Sequence, residues 1–411
     1  MRNIADFQFK NVNLVPTTDA MWDAAWNVVA NCNNLARQIA TADSSLFEKG
    51  EFERCMIWGE AIGLRAFMQF DLLRIYAPAP ASVGYREDSR TFIPYVDTYP
   101  SYVNNHRTVA ECLDLIIRDL KQAQEILLPV DETSDLTSDH RFSVATGSKI
   151  FHQARGYRLN YYAVTAELAR VYLYAGKNHE AYLEAKKLIE EEENTGYFEG
   201  STSSYDIENN GNMKLKEDII FALYSPTELV EWEQAINYSD DEEHYLCIDS
   251  YVADALYGDE KESDWRFLYQ LESMYYGYYY RPLKYHEQPS GKSFAEENNP
   301  TIPLIRMSEV YYIAAEAIFD TNPEEAKSYL QNVKKMRGVR NVDYSQVSRK
   351  EDFVELLLND MRREFLGEGQ ILYQYKRLNH IIPASSAYDE AVQPTDDKAV
   401  LPLPDSELNI N

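Results

Sequence analysis

The stretch LARVYLYAGKNHEA, Leu168 to Ala181, decides the fold. Its Leu168-Ala169, Tyr172 and Ala181 stand at the offsets of a tetratricopeptide pair, in which small residues let two antiparallel helices approach closely. Gly176-Lys177-Asn178 breaks the pair, so a helix is predicted on each side between Asn160 and Glu193. The same offsets recur 145 residues later in Ile313-Ala314, Ala317 and Ala326, where Asn322-Pro323-x-Glu325 caps the second helix. Two such hairpins, dispersed rather than tandem, predict a mainly α fold.

Toward the N-terminus the helical period continues. Thr17-Thr18-Asp19 offers caps before a stripe of Trp22, Trp26, Val29, Asn33 and Ala36. A longer run from about Glu48 to Tyr76 repeats Ile57, Ala61, Leu64, Met68, Leu72 and Ile75 until Pro78 and Pro80 stop it. Thr108-x-x-Glu111 is a capping box and opens a helix expected to end at Leu128-Pro129, with Asp131 to Lys149 as polar linker. Between Gly196 and Ile302 the period fades and Gly, Asn, Ser, Trp and Tyr accumulate. A stretch so long needs short strands or helices of its own and is the expected functional insertion. Helix is predicted again at Leu304 to Phe319, at Glu325 to Arg337 and from Ser348-x-x-Glu351 through Leu366. Leu401-Pro402-Leu403-Pro404 is extended. The expected division is an N-terminal helical part at 1–195, an irregular aromatic-rich region at 196–302 and a C-terminal helical part at 303–411. All three belong to one compact fold: tetratricopeptide-like hairpins, a large loop-rich insertion and short strands.

Composition narrows the function. Forty Lys and Arg against 67 Asp and Glu give a formal charge of −27, which repels phosphate backbones and anionic lipid, so no nucleic-acid partner is expected. No apolar run reaches the length of a membrane span. The four cysteines form no C-x-x-C pair, and His152, His179, His244 and His380 lack the H-x-H or H-x-x-x-H spacing of a metal site. Gly291-Lys292-Ser293 ends like a phosphate loop, but His286 stands where its first glycine is needed. Asp240-Asp241-Glu242-Glu243 reads as a solvated turn. No catalytic residue, metal ligand or cofactor site is predicted. What stands out is 32 tyrosines, more hydroxyls than a core accommodates, so many should sit half-exposed with one polar end in water.

Several separated segments resemble the SusD/RagB family of surface lipoproteins. They are Glu60 to Tyr76 with its Leu-x-Arg-x-Tyr end, Arg107 to Asp114 with Asp119-Leu120, the hairpin from Asn160 to Ala185, and Asp264-Trp265-Arg266. The most specific is Pro303-Leu-Ile-Arg306-Met-Ser-Glu309 through Glu316-Ala317. It is followed by Met336-Arg337-Gly338, by Arg362-Arg363-Glu364 with Glu368-Gly369, and by Leu401 to Glu407. The resemblance implies a non-catalytic, carbohydrate-binding protein of the outer-membrane cell surface that hands nutrient to a TonB-dependent transporter. Its membrane contact would be through a lipid anchor that this chain lacks. Two positions depart from the family. Members open with a signal peptide and a lipid-bearing cysteine, whereas Met1 stands almost at the first helix, so a truncated chain or an unusual start is expected. After Glu368-Gly369 the family's Arg and Asp are replaced by Ile371 and Gln374, and losing both partners of a pair together is close to neutral.

Arg65, Asp71, Arg306, Glu309, Arg362, Arg363 and Glu364 are read as ion pairs that order helices, with Arg306 and Glu309 as a natural i, i+3 or inter-helix pair. Trp22 and Trp26, one turn apart, are read as core or groove. The ligand candidates are the aromatics of the insertion: Trp232, Trp265, Tyr275, Tyr276, Tyr278, Tyr279 and Tyr280. If the tyrosine run is a strand, alternate rings become core and two or three remain for ligand. Tyr85, Tyr95 and Tyr102, in the loop after the long helix, are the next place to look. Peptide capture within the family, a glycosidase on a helical scaffold and a cytoplasmic tetratricopeptide scaffold are the rival functions.

Overall fold

The computed structural model describes residues 4, 6–80, 87–132, 155–198, 203–225, 227, 247–384, 386 and 388–408. Helix α1 (Val15–Ala40) starts two residues before Thr17, with Pro16 in its first turn where a missing N–H costs nothing. Thr17, Thr18 and Asp19 therefore lie inside the helix and do not cap it. Its stripe of Trp22, Val29, Asn33 and Ala36 is buried as predicted, while Trp26 is only partly covered. Helix α2 (Glu51–Tyr76) follows Gly50 and ends before Pro78. Gly59 and Gly63 let it close on its neighbours, because a Cβ at Gly59 would fall 2.5 Å from Leu127 Cγ and one at Gly63 2.9 Å from Leu159 Cδ2.

A two-residue ladder, β1 (Ile93–Pro94) with β2 (His106–Arg107), ties off the next loop. The capping box at Thr108 is formed: its N–H donates to Glu111 Oε2 at 2.9 Å and Glu111 N–H donates to Thr108 Oγ1 at 3.2 Å. Helix α3 (Val109–Glu132) runs past Pro129 instead of stopping there. Tertiary anchors outweigh the proline: Val130 is buried, and Asp131 accepts from Arg155 at 2.7 Å and from the Tyr161 N–H at 2.8 Å.

Helices α4 (Tyr161–Tyr174) and α5 (Asn178–Thr195) form the first hairpin, with Asn160 capping α4 and Gly176 at φ +71 in the turn. The following region holds β3 (Ile219–Tyr224), β4 (Ile248–Asp249), α6 (Ser250–Tyr257), α7 (Trp265–Gln270), β5 (Leu271–Met274), β6 (Tyr279–Pro282) and β7 (Thr301–Arg306). Strand β3 pairs antiparallel with β7, and β6 lies between β4 and β5 in a small antiparallel sheet. Residues 304–306, predicted helical, belong to β7. Pro303 and the β-branched Thr301, Ile302 and Ile305 favour an extended chain that pairs with Phe221 to Tyr224.

The second hairpin is α8 (Met307–Ile318) with α9 (Pro323–Met336), capped by Asn322. Helix α10 (Lys350–Glu364) starts after Arg349 without a side-chain cap, so Ser348 does not form the expected box. Helix α11 (Ile371–Leu378) follows. The dispersed hairpins meet in space: Arg170 of α4 donates to Glu309 of α8 at 2.7 and 2.6 Å, and Tyr182 of α5 donates to Glu325 of α9 at 2.9 Å. Ala169, Ala181, Ala314 and Ala326 are fully covered at the crossings.

Arg306 and Glu309 are not partners of each other. Arg306 pairs with Glu368 at 2.6 Å, Glu309 with Arg170, and the side chains of all four are covered. Nearby, Arg266 joins Asp264, Asp360 and Glu364 at 2.8, 2.8 and 3.0 Å, and Arg337 joins Asp218 at 2.7 Å and also Glu364. Removing one member of such a set strands a buried charge, at a cost of about 3–5 kcal/mol.

Candidate functional site

The tyrosine run does not form a continuous strand. Met274 pairs with Tyr279 at the end of the β5–β6 hairpin, and Tyr275 to Tyr278 make the turn, closed by the Tyr278 N–H donating to Tyr275 O at 3.3 Å. Tyr275 and Tyr276 take φ +47 and +60, and Gly277 takes +89. Side chains with a Cβ rarely enter this left-handed region, so the turn is strained at two bulky residues. The result is exposure: Tyr275, Tyr278 and Tyr279 are largely solvent-facing and Tyr276 is fully so. Four rings are available, more than alternation along a strand predicts. Tyr275 and Tyr279 meet edge to face at 6.2 Å.

Tyr280 turns the other way, onto Phe267 at 5.2 Å and the small core of Leu256, Tyr257 and Leu271. Tyr251, which sequence reasoning missed, is exposed in the first turn of α6; the Ser250 N–H donates to Tyr278 O at 2.9 Å, which brings that turn beside the tyrosine tip. No pattern in the sequence announces it, because the proximity comes from β4 pairing with β6.

Trp265 is not part of this tip. It opens α7 behind its N-cap Asp264, is half-buried against Ile207, Met213 and Leu215, and its backbone N–H donates to Arg337 O at 2.9 Å. Trp232 lies outside the described residues, as does Tyr85. Tyr95 is buried and donates to Asp119 Oδ2 at 2.6 Å.

A second aromatic feature lies at the other end of the sequence. The loop after β1 leans over α1 and encloses a cavity of about 500 Å³, lined among others by Trp22, Trp26, Tyr99, Tyr102, Asn104 and His106. Trp22 and Trp26 pack edge to face at 5.5 Å. The loop is pinned: Asn33 donates to Val96 O at 2.9 Å, Gln69 accepts from the Val96 N–H at 2.7 Å, Arg65 donates to Asp97 O at 3.2 Å and Arg37 donates to Tyr99 O at 3.0 Å. His106 Nε2 lies 2.9 Å from Glu407 Oε1, so the C-terminal turn closes one end. Tyr99 also borders a shallower hollow of about 320 Å³ that includes Trp58.

Among the described residues, no group of three or more His, Cys, Asp or Glu is placed to hold a metal ion, and no helix is long and apolar enough to cross a membrane. Among the described residues the cavity is lined by a single carboxylate, Glu407, so a flanking pair of the kind glycoside hydrolysis uses is not present there. Both features can stack and hydrogen-bond a ligand.

Two family models match the chain, one described as the SusD family over residues 261–411 and one described as starch-binding associating with outer membrane over residues 2–150. Similar solved structures include a putative sugar binding protein from Bacteroides vulgatus, 23% identical with a TM-score of 0.70 over 95% of this chain and 83% of that one. A SusD-like carbohydrate binding protein from the same species is 19% identical, with a TM-score of 0.70 over 95% and 82%. A SusD superfamily protein from Bacteroides thetaiotaomicron is 21% identical, with a TM-score of 0.68 over 95% and 83%. At these identities the likeness establishes the fold. No curated protein matches the chain.

Proposed function

We propose that this chain, which belongs to the SusD/RagB family, is a glycan-binding protein of the outer-membrane surface that delivers its ligand to a TonB-dependent transporter. Family membership carries the reading. One matched model is described as starch-binding and associating with the outer membrane, and two structural neighbours as binding sugar or carbohydrate. The chemistry of the hairpin tip supports it. Sugar rings present apolar C–H faces that stack on aromatics, and a phenol adds a hydroxyl partner without proton-transfer machinery. The segment 196–302 is the ligand-bearing part between the helical parts 1–195 and 303–411. Tyr275, Tyr276, Tyr278 and Tyr279 are its contact rings, Trp232 is a further one, and Tyr280 and Trp265 serve packing.

Calorimetry with a panel of neutral oligosaccharides and of peptides tests this. A stacked ring contributes roughly 1–2 kcal/mol, so Tyr276→Ala with Tyr278→Ala is expected to weaken oligosaccharide binding by about 30-fold or more. Binding of peptides alone moves the protein to another nutrient class, and release of reducing ends makes it a hydrolase. A pull-down of the TonB-dependent transporter by the lipidated full-length protein is expected to succeed; consistent failure removes the delivery role.

A further inference from the structure

We infer that the cavity between α1 and the loop from Val96 to His106 is a second carbohydrate subsite, taking one neutral sugar ring of an oligosaccharide. The inference rests on the glycan-binding reading but uses no residue of the tyrosine hairpin. Its volume, about 500 Å³, lies within the range of small-molecule sites. Its wall is preformed, because four side chains of α1 and α2 hold the backbone of residues 96–99 at hydrogen-bond distance. An assembled wall spares the ligand the entropy of ordering a loop.

The lining selects the chemistry. Trp22 and Trp26 offer apolar ring surface, and Tyr99 and Tyr102 stand exposed at the rim. Asn104 and Asn105 add amides. No lysine or arginine lines the cavity, and its one carboxylate already faces His106. A charged ligand finds no free counter-charge there, and a purely apolar one leaves the amides unpaired. A pyranose meets both halves, with C–H faces for the rings and hydroxyls for the amides.

One further observation points to a bound group. Trp26 Nε1 is buried, lies on a cavity-lining residue and has no hydrogen-bond partner among the described residues. Buried polar groups without partners are rare in folded proteins, and a small shift of the Trp26 ring on binding would bring this N–H to a ligand hydroxyl as its missing acceptor.

The test titrates maltohexaose, cellohexaose, xylohexaose and mannohexaose while following tryptophan emission and its quenching by acrylamide. The chain also carries Trp58, Trp232 and Trp265, so the part of the signal that Trp26→Phe removes is the part that reports this cavity. The sugar that binds is expected to shift emission and shield it from quencher. Tyr102→Ala with Asn105→Ala, both on exposed side chains, is expected to weaken binding about tenfold, the loss of one stacked ring and one amide. Trp26→Phe keeps a ring and deletes the N–H, and is expected to weaken it several-fold. If Trp26→Phe fails to fold by circular dichroism, the exposed pair still decides. Unchanged affinity in the cavity variants, with binding lost in the Tyr276 and Tyr278 variants, overturns this subsite and leaves the glycan reading standing. No binding of any sugar by the unaltered protein overturns both.

Discussion

Gly338 sits at φ +90, and a Cβ built on it would lie 2.4 Å from Trp265 Nε1 and 2.5 Å from Ser263 O. Both the left-handed backbone and the missing side chain are therefore required, and Gly338 follows the buried Arg337 that bonds Glu364 and Asp218. Gly338→Ala is expected to destabilise the fold by on the order of 3 kcal/mol, through strain plus overpacking against a backbone carbonyl that cannot move aside. Urea unfolding measures it; a loss below about 1 kcal/mol would show that the close approach of Trp265 is not a constraint. The same scale explains how Gln374 fits its place. Arg377 is bound by both oxygens of Glu316 at 2.6 and 2.7 Å, and Gln374 Oε1 accepts from its Nε and Nη2 at 3.2 and 2.9 Å. With one carboxylate already supplying the counter-charge, a neutral acceptor satisfies the remaining N–H groups.

In the β5–β6 hairpin the proposed binding role and stability are expected to oppose each other. Tyr276 is fully exposed, so its ring adds no packing, yet its backbone is held in a region that costs a residue with a Cβ about 1–2 kcal/mol. Tyr280, four residues on, packs on Phe267. Opposite outcomes are expected within one turn. Tyr276→Gly should hold or raise stability, by up to about 1 kcal/mol, while weakening oligosaccharide binding. Tyr280→Ala should lower stability by about 2–3 kcal/mol through the cavity it leaves. Urea midpoints together with calorimetry check both, and a clear loss of stability in Tyr276→Gly would show that the ring is held by the fold. A strained turn that holds the Tyr276 ring fully in solvent is most economically explained by a surface that meets something else.

Across the whole molecule, legibility followed the range of the interactions. The hairpins at 161–195 and 307–336 were visible because alanine spacing and caps are local, whereas their contact through Arg170 and Glu309 spans 139 residues and no spacing encodes it. The tyrosine tip was legible as composition but not as a turn. The cavity was half legible: Trp22 and Trp26 read as core or groove and Tyr102 as a second place to look, but no local pattern places the loop 96–106 over that stripe. Also invisible were the environments of buried charges, which set how stability responds to pH. Asp360 is driven down to about 2 despite its burial, because Arg266, Lys334 and Arg363 surround it, and Arg337 and Arg306 likewise hold Glu364 and Glu368 below the usual range against their own burial. Stability from these three is present above the unfolded carboxylate range and lost as pH falls through their folded values. Glu167 does the reverse. Burial pushes it up to about 7, outweighing Arg170 and Arg74, and its Oε1 has no hydrogen-bond partner among the described residues. A carboxyl raised in the folded state favours folding fully below its unfolded pKa, and that contribution disappears as pH rises from about 4.5 to about 7. The loss amounts to about 2–3 kcal/mol. Glu167→Gln keeps an acceptor for the Arg170 N–H that Glu167 Oε2 takes at 2.8 Å and cannot ionise. Urea unfolding at pH 4.5, 6 and 7.5 is therefore expected to show the variant gaining on the unaltered protein by that amount across the window, while both lose stability together toward pH 2. A difference between the two that stays constant with pH would mean that Glu167 is already ionised at pH 4.5, held so by Arg170.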